Sequence, residues 1–186
     1  MSAWIEIERA LDAGKLAILP TETVYGLSAR ADNTVAVDAV YAVKGRDFNK
    51  PLALCVRDLK QAESFGEFDE KARELAKNHW PGPVTLVVRS KADTGLDPRV
   101  GTGATIALRC PDVFWRTELD KPLALTSANL SGEPDAVTLD LARGTLGPDI
   151  IALTAQAPLS GSASTILSIL DGEVKVLRQG DTQVAA

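Results

Sequence analysis

Short apolar runs, each closed by a proline, glycine or polar turn, recur along this chain and leave little choice of architecture. Leu16-Ala17-Ile18-Leu19 stops at Pro20, and the runs 52–56 and 84–88 follow. Aliphatic runs this short, bounded by turn residues, read as strands buried in a sheet rather than as helices. Between the early ones lie stretches with apolar residues at helical spacing: 3–13 before Gly14, 34–43, and 70–80 after Asp69. Asn33 or Thr34, Asp58 and Asp69 stand where N-caps belong, because their side-chain oxygens can accept the free amides of a first helical turn.

The second half is richer in strand signals. Residues 104–109, 122–125, 150–153 and 165–170 read as strands, and Asp171-Gly172 reads as the turn of a hairpin to 174–178. Residues 112–119 and 137–143 read as helices. Helix and strand alternating early, then strand-rich sequence, predicts a single α/β (α+β) domain over residues 1–186, built on a twisted mixed sheet, with a loose tail after Gly180. A chain of 186 residues with 45% hydrophobic content buries enough surface to stand without staples.

Cys55 and Cys110 sit beside apolar runs with only His79 for company, so they read as buried free thiols. His79 itself reads as a packed residue near a helix C-terminus. No protein-bound metal is expected. The N-terminal residues lack a basic region followed by an apolar stretch, and no window approaches ~18 apolar residues, so the expectation is a cytoplasmic protein with no membrane contact.

Polar residues gather where the strands end. Thr21-Glu22-Thr23-Val24-Tyr25 follows the first strand, a favoured place for ligands in open sheets, or else simply fills a turn. The strand 104–109 puts Thr105, Ala107 and Arg109 on one face, where Arg109 either meets a ligand or pairs with a carboxylate. Thr126-Ser127-Ala128-Asn129-Leu130-Ser131-Gly132 is a loop of small residues carrying hydroxyl and amide groups, suited to close approach of a ligand. The segment 44–50 holds Lys44, Arg46 and Lys50 against Asp47, a local +2 on a chain of net charge −5. It is either a solvated basic turn or an anion site. Together the polar turns at 21–25, 105–109, 126–131 and 178 are expected to converge on one concave face.

At this point the residues resemble a known family, the YrdC/TsaC threonylcarbamoyl-AMP synthases. The likeness rests on Pro20-Thr21-Glu22-Thr23-Val24-Tyr25-Gly26-Leu27, on Lys44-x-Arg46 with Lys50-Pro51-Leu52, and on Trp80-Pro81-Gly82-Pro83-Val84-Thr85. It continues through Ala107-Leu108-Arg109-Cys110-Pro111, the 126–132 loop, Ser164-Thr165-Ile166 and Leu177-Arg178, in order. The resemblance implies a YrdC-like fold of the short, single-domain form enclosing a positively charged cavity. It implies an L-threonylcarbamoyladenylate synthase, a nucleotidyltransferase that joins L-threonine, bicarbonate and ATP, with Mg2+ accompanying the nucleotide. The product would pass to a downstream threonylcarbamoyl transferase for tRNA threonylcarbamoyladenosine modification, with tRNA contact included.

Carried over residue by residue, the resemblance makes Lys44, Arg46 and Lys50 catalytic. It places Arg46, Lys50, Thr105, Ser127, Asn129 and Arg178 on ATP, and Thr21, Arg109, Thr126 and Ser164 on threonine. The pattern is departed from at Ser28, at Gln179, and at Cys55, where many relatives carry a His. The alternative is a module that binds double-stranded RNA or tRNA without catalysis, a reading that a net charge of −5 supports poorly.

Overall fold

The computed structural model describes residues 3–184. Helix α1 (Ala3–Asp12) leads into β1 (Ala17–Pro20), and after a tight turn the chain returns antiparallel as β2 (Tyr25–Arg30). Then come α2 (Thr34–Lys44), β3 (Ala53–Cys55), α3 (Leu59–Ala62), β4 (Gly66–Glu67), α4 (Glu70–His79), β5 (Val84–Ser90) and β6 (Thr105–Arg109). A 3-10 turn at Phe114–Glu118 precedes β7 (Leu123–Ser127), α5 (Leu139–Leu146) and β8 (Ile151–Ala152). The hairpin β9 (Thr165–Leu170) and β10 (Glu173–Arg178) closes the fold.

The strands form one mixed sheet in the order β10-β9-β5-β6-β3-β7-β2-β1-β8, with β4 paired to the end of β5, so the expected α/β class and mixed sheet are what the chain adopts. Local chemistry sets the helix starts. Asn33, Asp58 and Asp69 accept the amides of Ala36, Gln61 and Ala72 at 3.0, 2.7 and 2.7 Å. Gly45 ends α2 in the left-handed conformation, φ 56°, which returns its amide to the helix and turns residues 46–51 toward the sheet.

One expectation needs correction, and one strand is unexpected. Residues 112–119 are not an α-helix: only Trp115 and Leu119 are buried in the 114–119 run, too narrow an apolar stripe to hold one, and the chain settles for i→i−3 bonds such as Arg116 N to Val113 O, 3.3 Å. Strand β2 was not foreseen, because Gly26, Ser28 and Arg30 interrupt its apolar pattern, yet it is buried throughout. In the stretch expected to be loose, Val184 packs on the core and the Thr182 carbonyl accepts from Thr165 Oγ1 at 2.7 Å. The rest of that tail, 185–186, lies outside the described residues.

Strand alternation divides the sheet into two faces. One carries Leu27, Leu54, Leu86, Leu108, Ala124 and Leu167 against α2 and α4, forming the main core. The other is covered only at one end, where α1 (Trp4, Ile7, Leu11) and the 3-10 turn (Trp115) lie on Leu19, Cys55, Leu123 and Leu125. Trp115 is fully buried, stacks on Trp4 at 5.7 Å, and donates its indole N–H to the Pro20 carbonyl at 2.9 Å. It therefore fixes the end of β1 as well as filling the second core. Trp115→Ala is expected to cost about 3–5 kcal/mol, read as a lower denaturation midpoint, by loss of contacts and an unfilled cavity.

Candidate functional site

Where α1 and the 3-10 turn stop, the second sheet face stays open and becomes the floor of a cavity of about 380 Å³. That volume lies in the range of small-molecule sites. Register explains which residues reach it. Thr85, Arg109 and Cys55 stand opposite one another across β5, β6 and β3, and Val87 and Ala107 stand opposite in the next row. Thr85, Arg109, Val87 and Ala107 all line the hollow, whereas Cys55 falls under the second core and is fully buried. Burial pushes its thiol pKa up, so Cys55 is an inert packing residue here.

Gly26 lets the floor form. A Cβ there would meet Leu125 Cδ1 at 2.5 Å, on a cavity wall made by both residues. Loops complete the rim: Thr21 and Val24 from the β1–β2 turn, Arg46 and Pro51 from the turn after α2, Thr126 and Ser127 at the end of β7, and Ser164 before β9. Leu177 and Arg178 close it from β10. The polar turns read from the sequence thus meet on one concave face.

Three guanidinium groups, Arg46, Arg109 and Arg178, share this wall with one carboxylate, Asp135. Arg46 is held by its own turn, Nε donating to the Lys50 carbonyl at 3.0 Å and Nη2 to that of Pro51 at 3.1 Å. Arg178 donates through Nε and Nη2 to the Ser164 carbonyl at 3.0 and 2.9 Å and through Nη2 to Ser164 Oγ at 3.1 Å. Ser164 Oγ in turn meets Thr85 Oγ1 at 2.8 Å. Burial lowers the Arg178 pKa, without changing its charge near neutrality.

Lys44 reaches the site from behind. It is 2% exposed, and its ammonium donates to the carbonyls of Ser127 and Asn129 and, at 3.1 Å, to Asn129 Oδ1. Ser127 Oγ also donates to Asn129 Oδ1, at 2.6 Å. Three donors meet three acceptors, so Lys44 and Asn129 fasten the segment that presents Ser127. Burial first, and the charge of Arg46 second, lower the Lys44 pKa to about 8, opposed by Asp135.

The structure does not bring Lys50 or Thr105 into the wall. Lys50 is exposed on the rim turn, and Thr105 Oγ1 is engaged with Thr102 Oγ1 at 2.9 Å. Thr21 lines the cavity, but its hydroxyl donates to the Val24 carbonyl at 2.7 Å and accepts the Val24 amide at 3.1 Å. It braces its own turn. Four residues of the site were not singled out in the sequence: Glu22, Thr23, Thr85 and Asp135. Glu22, Thr23 and Thr85 lie inside motifs already quoted, which was their only signal.

The fold thus leaves one sheet face open, with three arginines in the lining of the cavity there. The chain belongs to the Sua5, YciO and YrdC family: the family model described as "Telomere recombination" matches residues 9–180. It is 39% identical over 177 residues to the threonylcarbamoyl-AMP synthase of Bacillus subtilis, covering 91% of this chain and 51% of that protein. The crystal structure of Pyrococcus abyssi Sua5 complexed with L-threonine superposes with TM-score 0.87 at 31% identity, over 96% of this chain and 54% of that one. Escherichia coli YciO superposes with TM-score 0.85 over 97% of this chain and 90% of that one, but at 19% identity, a likeness of fold alone. The chain spans about half the length of the Bacillus and Pyrococcus relatives.

Proposed function

We propose that this protein is an L-threonylcarbamoyladenylate synthase, acting in the cytoplasm and supplying a downstream threonylcarbamoyl transferase that modifies tRNA. The observation that carries this is the meeting of Arg46, Arg109 and Arg178 in one hollow, in a chain of this family. The threonine amine attacks the carbon of bicarbonate, and loss of water leaves a carbamate. A carbamate oxygen then attacks the α-phosphorus of ATP, and the bond to the β-phosphate oxygen breaks to release pyrophosphate. Carbamates decay in water, so holding one against fixed cations is the protein's chief task.

Arg109, rising from the sheet floor, takes the threonine carboxylate. Arg46 and Arg178, from separate elements of the cavity lining, take the phosphate oxygens where charge develops, and their preorganisation by the carbonyls of Lys50, Pro51 and Ser164 spares reorganisation during the reaction. Among the described residues no group of three or more His, Cys, Asp or Glu could hold a metal. That donor set fits a Mg2+ carried in on the phosphates, with Asp135 the carboxylate available to it. When bound, the ion neutralises phosphate charge and orients the leaving group.

The test is pyrophosphate release from ATP with threonine and bicarbonate each omitted in turn. Both omissions should abolish it. Turnover that ignores threonine, or prefers another amino acid in a panel, would overturn the assignment. Within it, Arg109→Lys is expected to raise the threonine concentration for half-maximal rate by about 10–100-fold, the effect of losing a forked charge-assisted pair, and to shift the ATP requirement by less than about 3-fold.

A further inference from the structure

Arg109 does not face the cavity with a free guanidinium. Its side chain is 8% exposed, and Nη2 is committed away from the hollow: to Thr23 Oγ1 at 3.1 Å and to Glu22 Oε1 at 3.0 Å. The Thr23 hydroxyl, having accepted from Arg109, is left to donate to Thr21 Oγ1 at 2.8 Å, and Thr21 donates onward to the Val24 carbonyl. The relay has one direction only, which locks the orientation of Nη2. Nε is buried with no partner.

Glu22 is placed unusually for a carboxylate. Both of its oxygens are shielded from water and accept no hydrogen bond, so the guanidinium 3.0 Å away is its ion-pair partner. Glu22 does not line the main cavity; it borders a separate hollow of about 200 Å³ beside Phe114 and Leu159. Its backbone is pinned as well, since the Glu22 carbonyl accepts from the Ser160 amide at 3.1 Å and that of Thr23 from the Gly161 amide at 2.9 Å.

We infer that Glu22 is a positioning residue for the amino-acid carboxylate: held in the wall between two hollows, it pairs with Arg109 from behind and leaves Nη1 for the substrate. This rests on the reading of Arg109 as the threonine carboxylate partner. Of the five N–H bonds of a guanidinium, Nη2 spends one on Thr23 and sits in the ion pair with Glu22, and Nε is shielded from solvent, which leaves the two on Nη1 for a ligand. Losing the ion pair frees the guanidinium to swing, so the carboxylate meets a mobile cation instead of a fixed one.

The experiment is calorimetric titration of L-threonine and, separately, ATP into wild type, Glu22→Gln, Glu22→Asp, Arg109→Lys and Glu22→Gln/Arg109→Lys, with steady-state kinetics on each. Glu22→Gln is expected to weaken threonine about 10-fold while ATP affinity and kcat stay within about 3-fold. Glu22→Asp, which keeps the charge, should recover part of the loss. In the Arg109→Lys background Glu22→Gln should add nothing. Unchanged or tighter threonine binding in Glu22→Gln would overturn the inference, showing that Glu22 merely neutralises Arg109. Equal losses for threonine and ATP, together with a lower melting temperature, would mean a structural role alone and overturn it too. If Arg109→Lys leaves threonine binding intact, the role of Arg109 falls first and the inference with it. An absence of threonine binding in wild type would sink the proposed function itself.

Discussion

Arg46→Ala is expected to lower pyrophosphate release at least ~100-fold with little change in stability. The side chain belongs to an exposed turn and is held there by the backbone carbonyls of Lys50 and Pro51, so its removal orphans no buried group. Substitutions of that kind shift stability by roughly 0.5 kcal/mol or less. Arg46 lines the cavity, where on the proposed reading a preorganised donor aimed at developing phosphate charge contributes on the order of 10²–10³-fold in rate. Arg46→Lys keeps the charge but loses the fork and the two carbonyl anchors, so an intermediate loss is expected. Pyrophosphate release and a melting curve on the same samples check both halves. Wild-type turnover in Arg46→Ala would remove this turn from the chemistry.

The same substitution acts on Lys44. The charge of Arg46 is the second cause, after burial, of the low Lys44 pKa, so Arg46→Ala should let Lys44 keep its proton to higher pH. The two basic residues of one short motif thus have separate tasks. One lines the cavity, and the other holds the loop beneath it.

That division could not be read from the chain. Lys44 looks like any cation at a helix end, and its burial depends on carbonyls more than eighty residues away, at Ser127 and Asn129. Arg109 was equally undecided in sequence, ligand partner or ion-pair partner, because Glu22 comes close only when β6 crosses beside the β1–β2 turn. The structure gives it the pair with Glu22 and a place in the cavity wall at once. Features with local causes were legible: the caps at Asn33, Asp58 and Asp69, the short buried strands, and the hairpin at Asp171-Gly172. Strand β2 was not, since it is buried on both faces and needs Gly26 for close packing, so neither alternation nor an apolar run marks it. Thr85 was missed because it sits inside an ordinary apolar strand, and Asp135 because a rim loop has no period.

Lys44→Met should abolish activity nearly as fully as Arg46→Ala, by a different route. Methionine fills the aliphatic space but offers no donor, leaving the Asn129 carbonyl without its Lys44 bond and Asn129 Oδ1 with Ser127 Oγ alone. Unsatisfied buried acceptors cost roughly 1–3 kcal/mol each, so a loss of about 2–4 kcal/mol is expected near neutrality. Displacement of Ser127 by even ~1 Å is enough for a ~100-fold drop in rate. The pH dependence separates this from simple damage. The folded pKa of Lys44 is lowered from 10.5 to about 8, so between those values the unfolded chain keeps a proton that the folded chain has released. Stability then rises with pH through that window, by on the order of 3 kcal/mol, a gain present in the wild type and absent from Lys44→Met. Denaturant titrations at pH 7, 9 and 10.5 should therefore show the gap between the two proteins widening as the solution becomes alkaline. A constant gap would mean that Lys44 keeps its charge throughout, and that burial does not press on it as the geometry requires.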